Sequence, residues 1–468
     1  MKTKNVVVLF CRLKIDVGSS AFIFAAFCAD SQSFIGINYG QLEDNLPPPS
    51  STAKLLQSTS IQKVRLYGSD PAIIKALANT GIPIIIGTAN GDIPGLASDP
   101  NFAKSWINTN VLPFYPARNI ILITVGNEIM TSNDQNLMNK LLPAMQNVQN
   151  ALNDASLGGK IKVSTVHSIG VLKQSEPPSS GSFDPSYGDL MKGLLEFNSA
   201  TGSPFAINPY PYFAYRSDTR PETLAFCLFQ PNAGRMDGNT KIKYMNMFDA
   251  QVDAVYSALN SMGFKNVEIV VAETGWPFKG DDNDVGPSIE NAKAYNGNLI
   301  AHLRSMVGTP LMPGKSVDTF LFALYDGDLK PGPGSQRSFG LFKTDLTMVY
   351  DVGLSTSSQT RSLAAAQQLL AATPQPLQAV ATNTSTGTNN NNSSTSTSTS
   401  TSTGTSTSTS SSTNNITIRN GGSSGSSSNK VHLNRIFNLG LLYGFMGLSL
   451  ICLFFFVLFG YPHTLSKE

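Results

Sequence analysis

Between residue 34 and about residue 373 the chain repeats one pattern: short, nearly continuous runs of apolar and β-branched residues alternate with longer amphipathic stretches. The runs are FIGINYG (34–40), KVRLYG (63–68), IPIIIGTAN (82–90), NIILITVGNE (119–128), KIKVSTVH (160–167), PFAINPYPYF (204–213), VEIVVAETGWP (267–277) and VDTFLFALYD (317–326). Between them lie segments such as QNLMNKLLPAMQNVQNALNDA and YMNMFDAQVDAVYSALNSMG, in which apolar positions recur every three or four residues. Runs without polar alternation predict strands buried on both faces, and the intervening period predicts helices. Eight such units over about 340 residues fit a (β/α)8 TIM barrel, an α/β fold of this size. An open doubly wound sheet is the competing architecture. It favours a glycine-rich phosphate loop after the first strand, and NYGQLEDNLPPP is not one.

The pattern changes at both ends. Residues 1–33 read as a secretory leader: Lys2 and Lys4 charge its start, and the apolar stretch Ala21–Cys28 precedes small residues. Residues 374–429 are almost entirely Ser, Thr, Asn and Gly, with too few apolar side chains to offset the entropy of ordering. Asn383, Asn391, Asn392 and Asn415 each open an N-x-S/T sequon there, so a disordered, glycosylated stalk is expected. Residues 430–468 carry the apolar run Ile436–Tyr461, which reads either as a GPI-attachment signal, with small residues near Gly425–Ser428, or as a transmembrane helix. Lys430 and Arg435 precede the run on what would be the outer side, which favours the GPI signal. Either fate puts residues 34–373 outside the cell, at the plasma-membrane surface or cell wall.

Composition narrows the partners. A formal net charge of +2 without a basic cluster in the body excludes nucleic acid as the expected ligand. Of four cysteines only Cys227 lies in the body, which leaves a lone buried thiol and no disulfide there. With four histidines, two of them (His432 and His463) beyond the body, no metal site and no cofactor is expected. The acidic segment KGDDNDVG (279–286) lacks calcium-loop spacing and reads as a solvated loop.

The chemistry gathers where the runs end. Barrel enzymes draw catalytic groups from the carboxyl ends of strands. Here those ends carry Asn38, Tyr39, Arg65, Tyr67, Asn90, Asn127, Glu128, His167, Asn208, Tyr210, Tyr212, Glu273, Trp276, Tyr325 and Asp326, while strand interiors are apolar. Glu128 closes the fourth run and Glu273 the seventh, positions that face each other across a barrel mouth. A carboxyl pair about 5 Å apart is the arrangement of a retaining glycosidase, with one group protonated and the other ionised. Asn127 stands where a sugar hydroxyl beside the reacting carbon would be bound. Trp276 and the tyrosines supply flat faces for sugar rings. His167 reads as a hydrogen-bonded wall residue.

The phrases IGINYG, KVRLYG, VGNE, NPYPYF, AETGWP and FALYD…FGLF, in this order, resemble the plant family 17 glycoside hydrolases, endo-1,3-β-glucanases that cut callose-type glucan. The resemblance spans residues 34 to about 355. It implies a retaining endo-hydrolase with Glu128 as acid/base and Glu273 as nucleophile, and sugar contacts from Tyr67, Asn127, Tyr210, Trp276 and Lys330. It also implies 1,3-β-glucan as partner and a membrane-anchored type of relative; the protein is expected to be a monomer. Three positions depart from the family pattern. Phe278 follows Trp-Pro where Ser, Thr or Asn is usual, and Gly327 and Gln336 stand where glutamates are common. Losing two negative charges lowers the pKa of a remaining carboxyl nearby, which predicts a weaker acid. A glucan-binding wall protein with little turnover therefore stands as an alternative, and so does a 1,3-β-glucan transglycosylase, which would pass the same covalent intermediate to a sugar instead of water.

Overall fold

The computed structural model describes residues 34–356, except Glu43, Asn79 and residues 116–118. The expected leader, stalk and C-terminal segment, with the end of the 34–373 domain, lie outside the described residues.

Eight parallel strands close a barrel: β1 Ile35–Tyr39, β2 Lys63–Leu66, β3 Ile84–Thr88, β4 Ile120–Asn127, β5 Lys162–Ser168, β6 Phe205–Asn208, β7 Ile269–Thr274 and β8 Asp318–Leu321. Each pairs with its neighbours in sequence, and β1 pairs with both β2 and β8 to complete the ring. The near-continuous apolar runs are explained by burial on both faces: every residue of β3 and of β7 is buried. One face of the strands fills the barrel in layers. Phe34, Ile85, Leu122, Val270 and Phe320 pack as a plug toward the strand starts, and Val166, Ala206 and Ala272 lie above it. The Phe320 ring occupies the space over Gly36, where a Cβ would fall 2.4 Å from it. The other strand face packs on the helices. The helix Gln135–Asp154 buries Met138, Leu141, Met145, Val148 and Leu152, the three-and-four spacing read in the sequence. Asp134 caps it by accepting from Leu137 N at 3.0 Å.

The run 204–213 is shorter as a strand than its composition predicts. β6 stops at Asn208, and a helix begins at Pro211 and runs to Ser217. Pro209 and Pro211 offer no N–H to a ladder, and Pro211 has the fixed φ that suits a first helical turn. Three two-stranded ribbons outside the barrel were not predicted, because each strand is only two or three residues long: Leu172–Gln174 with Ser182–Phe183, Arg235–Met236 with Lys243–Tyr244, and Gly308–Thr309 with Met312–Pro313.

Candidate active site

Both strand-end glutamates sit at irregularities in otherwise regular strands. The pairing of β4 with β5 shifts register between Thr124 and Asn127, which turns the strand end toward the mouth. Gly126, at φ 68°, makes this possible; a Cβ there would lie 2.7 Å from Ile93 Cδ1 and 2.9 Å from Ile129 Cγ1. Glu128 follows with φ 56° and ψ 30°, a left-handed conformation that costs a non-glycine residue about 1–3 kcal/mol. Its backbone is held there. The N–H donates to Val166 O at 2.8 Å, and its carbonyl accepts from Thr131 N at 3.2 Å and Thr131 Oγ1 at 3.1 Å. Asn127 is fixed by Asn90, whose Oδ1 accepts its N–H at 2.8 Å and whose Nδ2 donates to its carbonyl at 3.2 Å. Strain retained at a position that presents a carboxylate is a mark of function.

Across the mouth, the pairing of β7 with β8 shifts between Val271 and Thr274, around Glu273. Three donors converge on this carboxylate. Arg65 Nη1 donates to Oε1 at 2.8 Å, Tyr67 Oη to Oε1 at 2.7 Å, and Tyr210 Oη to Oε2 at 2.9 Å. Arg65 also donates from Nη1 to Asn38 Oδ1 at 3.0 Å and from Nη2 to Asn127 Oδ1 at 2.8 Å, so one buried guanidinium spans from β1 to β4 and β7. Asn38 is in turn anchored by donating to Ala272 O at 3.0 Å and Leu321 O at 3.1 Å. Charge-assisted bonds of this kind are short and orienting, and surroundings made only of donors suit a carboxylate anion.

Glu128 has different company. Asn208 Nδ2 donates to its Oε1 at 2.8 Å. Burial and then the Glu273 charge push its carboxyl up to about 7, against the opposing pull of Asn208, Lys330 and Arg65. Burial and the charge on Glu273 hold the Tyr67 and Tyr210 phenols well above their usual range, so both remain donors. Lys330 is lowered by burial, against the charges of Glu273 and Glu128, and its Nζ lies 5.1 Å from the centre of the Phe322 ring. The mouth therefore holds one carboxyl pushed up to about 7 and one on which three donors converge. With Gly327 and Gln336 in place, burial and the Glu273 charge hold the Glu128 carboxyl up to about 7.

The structure brings Tyr67, Asn127, Tyr210 and Lys330 to the two glutamates, but it moves Trp276 elsewhere. Trp276 is fully buried, donates from Nε1 to Gly286 O at 2.9 Å, and packs against Tyr212, Tyr215 and Tyr295 with ring centres 5.3–5.9 Å apart. It has no face for a sugar and supports the wall behind the cleft. Tyr39, Tyr212 and Tyr325 are likewise buried. The half-buried aromatic that does stand beside Tyr210 and Lys330 is Phe322, 6.3 Å from the Tyr210 ring centre. The sequence signal for it was its place directly after β8 in FALYD. The roles of Arg65, Asn38 and Asn208 were also unassigned, although a charge inside the apolar run KVRLYG marks Arg65. His167 turns to the helix-facing core, stacks on Phe205 at 4.6 Å, and has no hydrogen-bond partner among the described residues. Burial lowers it to about 3, so it is a neutral core residue. Cys227 is buried, its thiol pushed up to about 12. The acidic segment 279–286 is not simply solvated: Asp281 and Asp284 accept from backbone N–H groups of the loop after β8.

A closed parallel barrel that presents paired glutamates from its fourth and seventh strands defines a barrel glycoside hydrolase. The chain belongs to the glycosyl hydrolases family 17, whose family profile matches residues 35–354. It is 75% identical over 335 residues to glucan endo-1,3-beta-glucosidase 7 of Arabidopsis thaliana, a match covering 71% of this chain and 66% of that protein. It is 64% identical over 351 residues to a glucan endo-1,3-beta-D-glucosidase of Olea europaea, covering 74% and 76% respectively. A solved beta-1,3-glucanase and allergen of Cryptomeria japonica pollen shares the fold at a TM-score of 0.65 and 41% identity, over 69% of this chain and 99% of that one. The matched segment thus spans just under two thirds of the Arabidopsis protein and about three quarters of the olive protein.

Proposed function

We propose that the protein hydrolyses internal linkages of 1,3-β-glucan with retention of configuration, Glu128 serving as acid/base and Glu273 as nucleophile. The observation that carries this reading is the contrast between the two carboxyls. Glu273 receives three donors, and Glu128 is kept protonated to about 7 by burial and by the charge opposite. In the first step Glu273 attacks the anomeric carbon while Glu128 gives its proton to the departing glycosidic oxygen, leaving a glycosyl ester on Glu273. Burial of Glu128 persists, but esterification removes the Glu273 charge, the second cause that raises its pKa, and so lowers it. The now ionised Glu128 is thereby suited to take a proton from water as that water attacks the ester. Product leaves, Glu273 regains its charge and Glu128 its proton. Arg65, Tyr67 and Tyr210 hold the nucleophile in place, and Phe322 and Tyr210 offer aromatic faces beside it. The names of the Arabidopsis and olive relatives, both glucan endo-1,3-β-glucosidases, supply the substrate class.

The test is digestion of laminarin by the purified full chain. A ladder of short oligosaccharides is expected, lost by at least about a thousandfold in Glu273→Gln; no release by folded wild type would sink the reading. For location we propose secretion and tethering at the outer face of the plasma membrane or in the wall through residues 430–468. Release from membranes by a phosphatidylinositol-specific phospholipase is expected for a GPI anchor, and retention would point to a spanning helix.

A further inference from the structure

The loop after β8 carries Lys330 to the catalytic pair, and it is fastened at several points. At its base Gly327 N donates to Arg337 O at 3.1 Å, and Gly340 N donates to Asp326 Oδ1 at 2.8 Å. Inside it Lys330 N donates to Gly327 O at 2.9 Å, and Arg337 Nη1 to Gly332 O at 2.7 Å. On one flank Leu329 N donates to Leu42 O at 3.0 Å. On the other flank the hold comes from the loop after β7. Asp281 Oδ2 accepts from Gly334 N at 2.8 Å, and Asp284 Oδ2 accepts from Ser335 N at 3.1 Å. The two aspartates are themselves braced, since Asp281 N donates to Asp284 Oδ2 at 3.0 Å and Asp284 N to Asp281 O at 2.9 Å. The fit is close: a Cβ on Gly334 would lie 2.5 Å from Asp281 Oδ1, and one on Gly280 would lie 2.8 Å from the Asp284 side chain. The same loop is tied to the buried wall through Trp276, which donates to Gly286 O.

Gly327 and Gln336 bring no negative charge to this loop, and the charges that act on Lys330 are those of Glu273 and Glu128. From these contacts we infer that Asp281 and Asp284 form a latch that positions the β8 loop, and through it Lys330, and so sets the protonation range of the catalytic acid. The inference rests on the reading of Glu128 as acid given above. The groups facing Glu128 are Glu273 from β7, Asn208 from β6, Arg65 and Tyr67 from β2 and its end, Tyr210 after β6, and Lys330; of these, Lys330 alone is carried by the latched loop. The sign of the effect separates a latch from a bare charge. Removing a nearby carboxylate directly would lower the Glu128 pKa, because less like charge opposes ionisation. Releasing Lys330 would raise it, because a stabilising cation is lost.

The test is titration of the Glu128 carboxyl by carbon-13 NMR in the full chain, beside the basic limb of the kcat/KM profile on laminari-oligosaccharides. Asp281→Ala with Asp284→Ala breaks the latch from one side. Gly334→Ala breaks it from the other without changing charge. Asp284→Asn keeps an acceptor for Ser335 N and serves as rescue. Both latch breaks are expected to raise the Glu128 midpoint by about half a pH unit, Asp284→Asn to restore most of it, and Lys330→Met to raise it with no further change on adding a latch break. A downward shift, no shift, or additivity with Lys330→Met would overturn the latch. If wild type hydrolyses no glucan, the proposed function fails, while the NMR midpoint still decides the latch.

Discussion

The two walls of the mouth treat the same side chain in opposite ways. Around Glu273 the barrel gathers a guanidinium and two phenols, each aimed at a carboxylate oxygen, and it buries the guanidinium to do so. Around Glu128 it supplies one hydrogen-bond donor, Asn208, and buries the carboxyl within reach of the Glu273 charge, with Lys330 and Arg65 pulling the other way. The difference lies in the neighbouring strands. β2 and the turn after β6 lend their polar groups to β7, whereas β4 spends its own irregularity on presenting Glu128. One barrel mouth thus makes an anion and a proton carrier from one residue type without changing sequence chemistry at the strand ends.

Arg65→Met attacks the contrast most severely, because it removes the Glu273 partner together with the hold on Asn127. A fall in kcat of about a hundredfold or more is expected, with a stability loss of about 3–5 kcal/mol from a buried carboxylate left without its cationic partner. Chemical denaturation with parallel kinetics measures both, and an unchanged kcat in a folded variant would break the contrast. Glu128→Gln tests the other wall through stability. The Glu128 carboxyl titrates near 7 when folded and near 4.5 when unfolded, so between those values the folded state binds more protons and stability falls as pH rises. The glutamine variant escapes this and should be more stable than wild type above pH 7 by on the order of 2–3 kcal/mol, with no gain below about pH 4.5. Denaturation at pH 4 and pH 8 decides it, and an equal difference at both would count against the assignment. Asn208→Ala gives the smallest effect. It removes a bond that favours the charged form, so the basic limb of kcat/KM should move up by about half a pH unit; a downward move would reverse the role given to Asn208.

The barrel and its eight strands were legible because burial on both faces writes itself as uninterrupted apolar runs. The two glutamates were legible because each ends such a run two residues from a glycine. What could not be read was the direction of side chains just past a strand end. Trp276 looked like a sugar platform by proximity to Glu273, yet Gly275 lets the chain pass close to Phe322 O and the indole turns into the core; a Cβ on Gly275 would lie 2.1 Å from that oxygen. Phe322 instead stands beside Tyr210, with ring centres 6.3 Å apart. Arg65 was visible as a charge in a strand, but its reach across Asn38, Asn127 and Glu273 depends on barrel closure, which brings residues more than 200 positions apart into one hydrogen-bond network. β6 ends at Asn208, short of the aromatic run, because Pro209 and Pro211 cannot donate to the ladder.

In the proposed mechanism Glu273 is the nucleophile and Glu128 the proton carrier. The most direct test is trapping with a 2-deoxy-2-fluoro laminari-oligosaccharide bearing a good leaving group, followed by peptide mass spectrometry. A glycosyl ester is expected on the peptide that contains Glu273, with Glu128 unlabelled. Label on Glu128, or none while laminarin is cleaved with inversion, would contradict it.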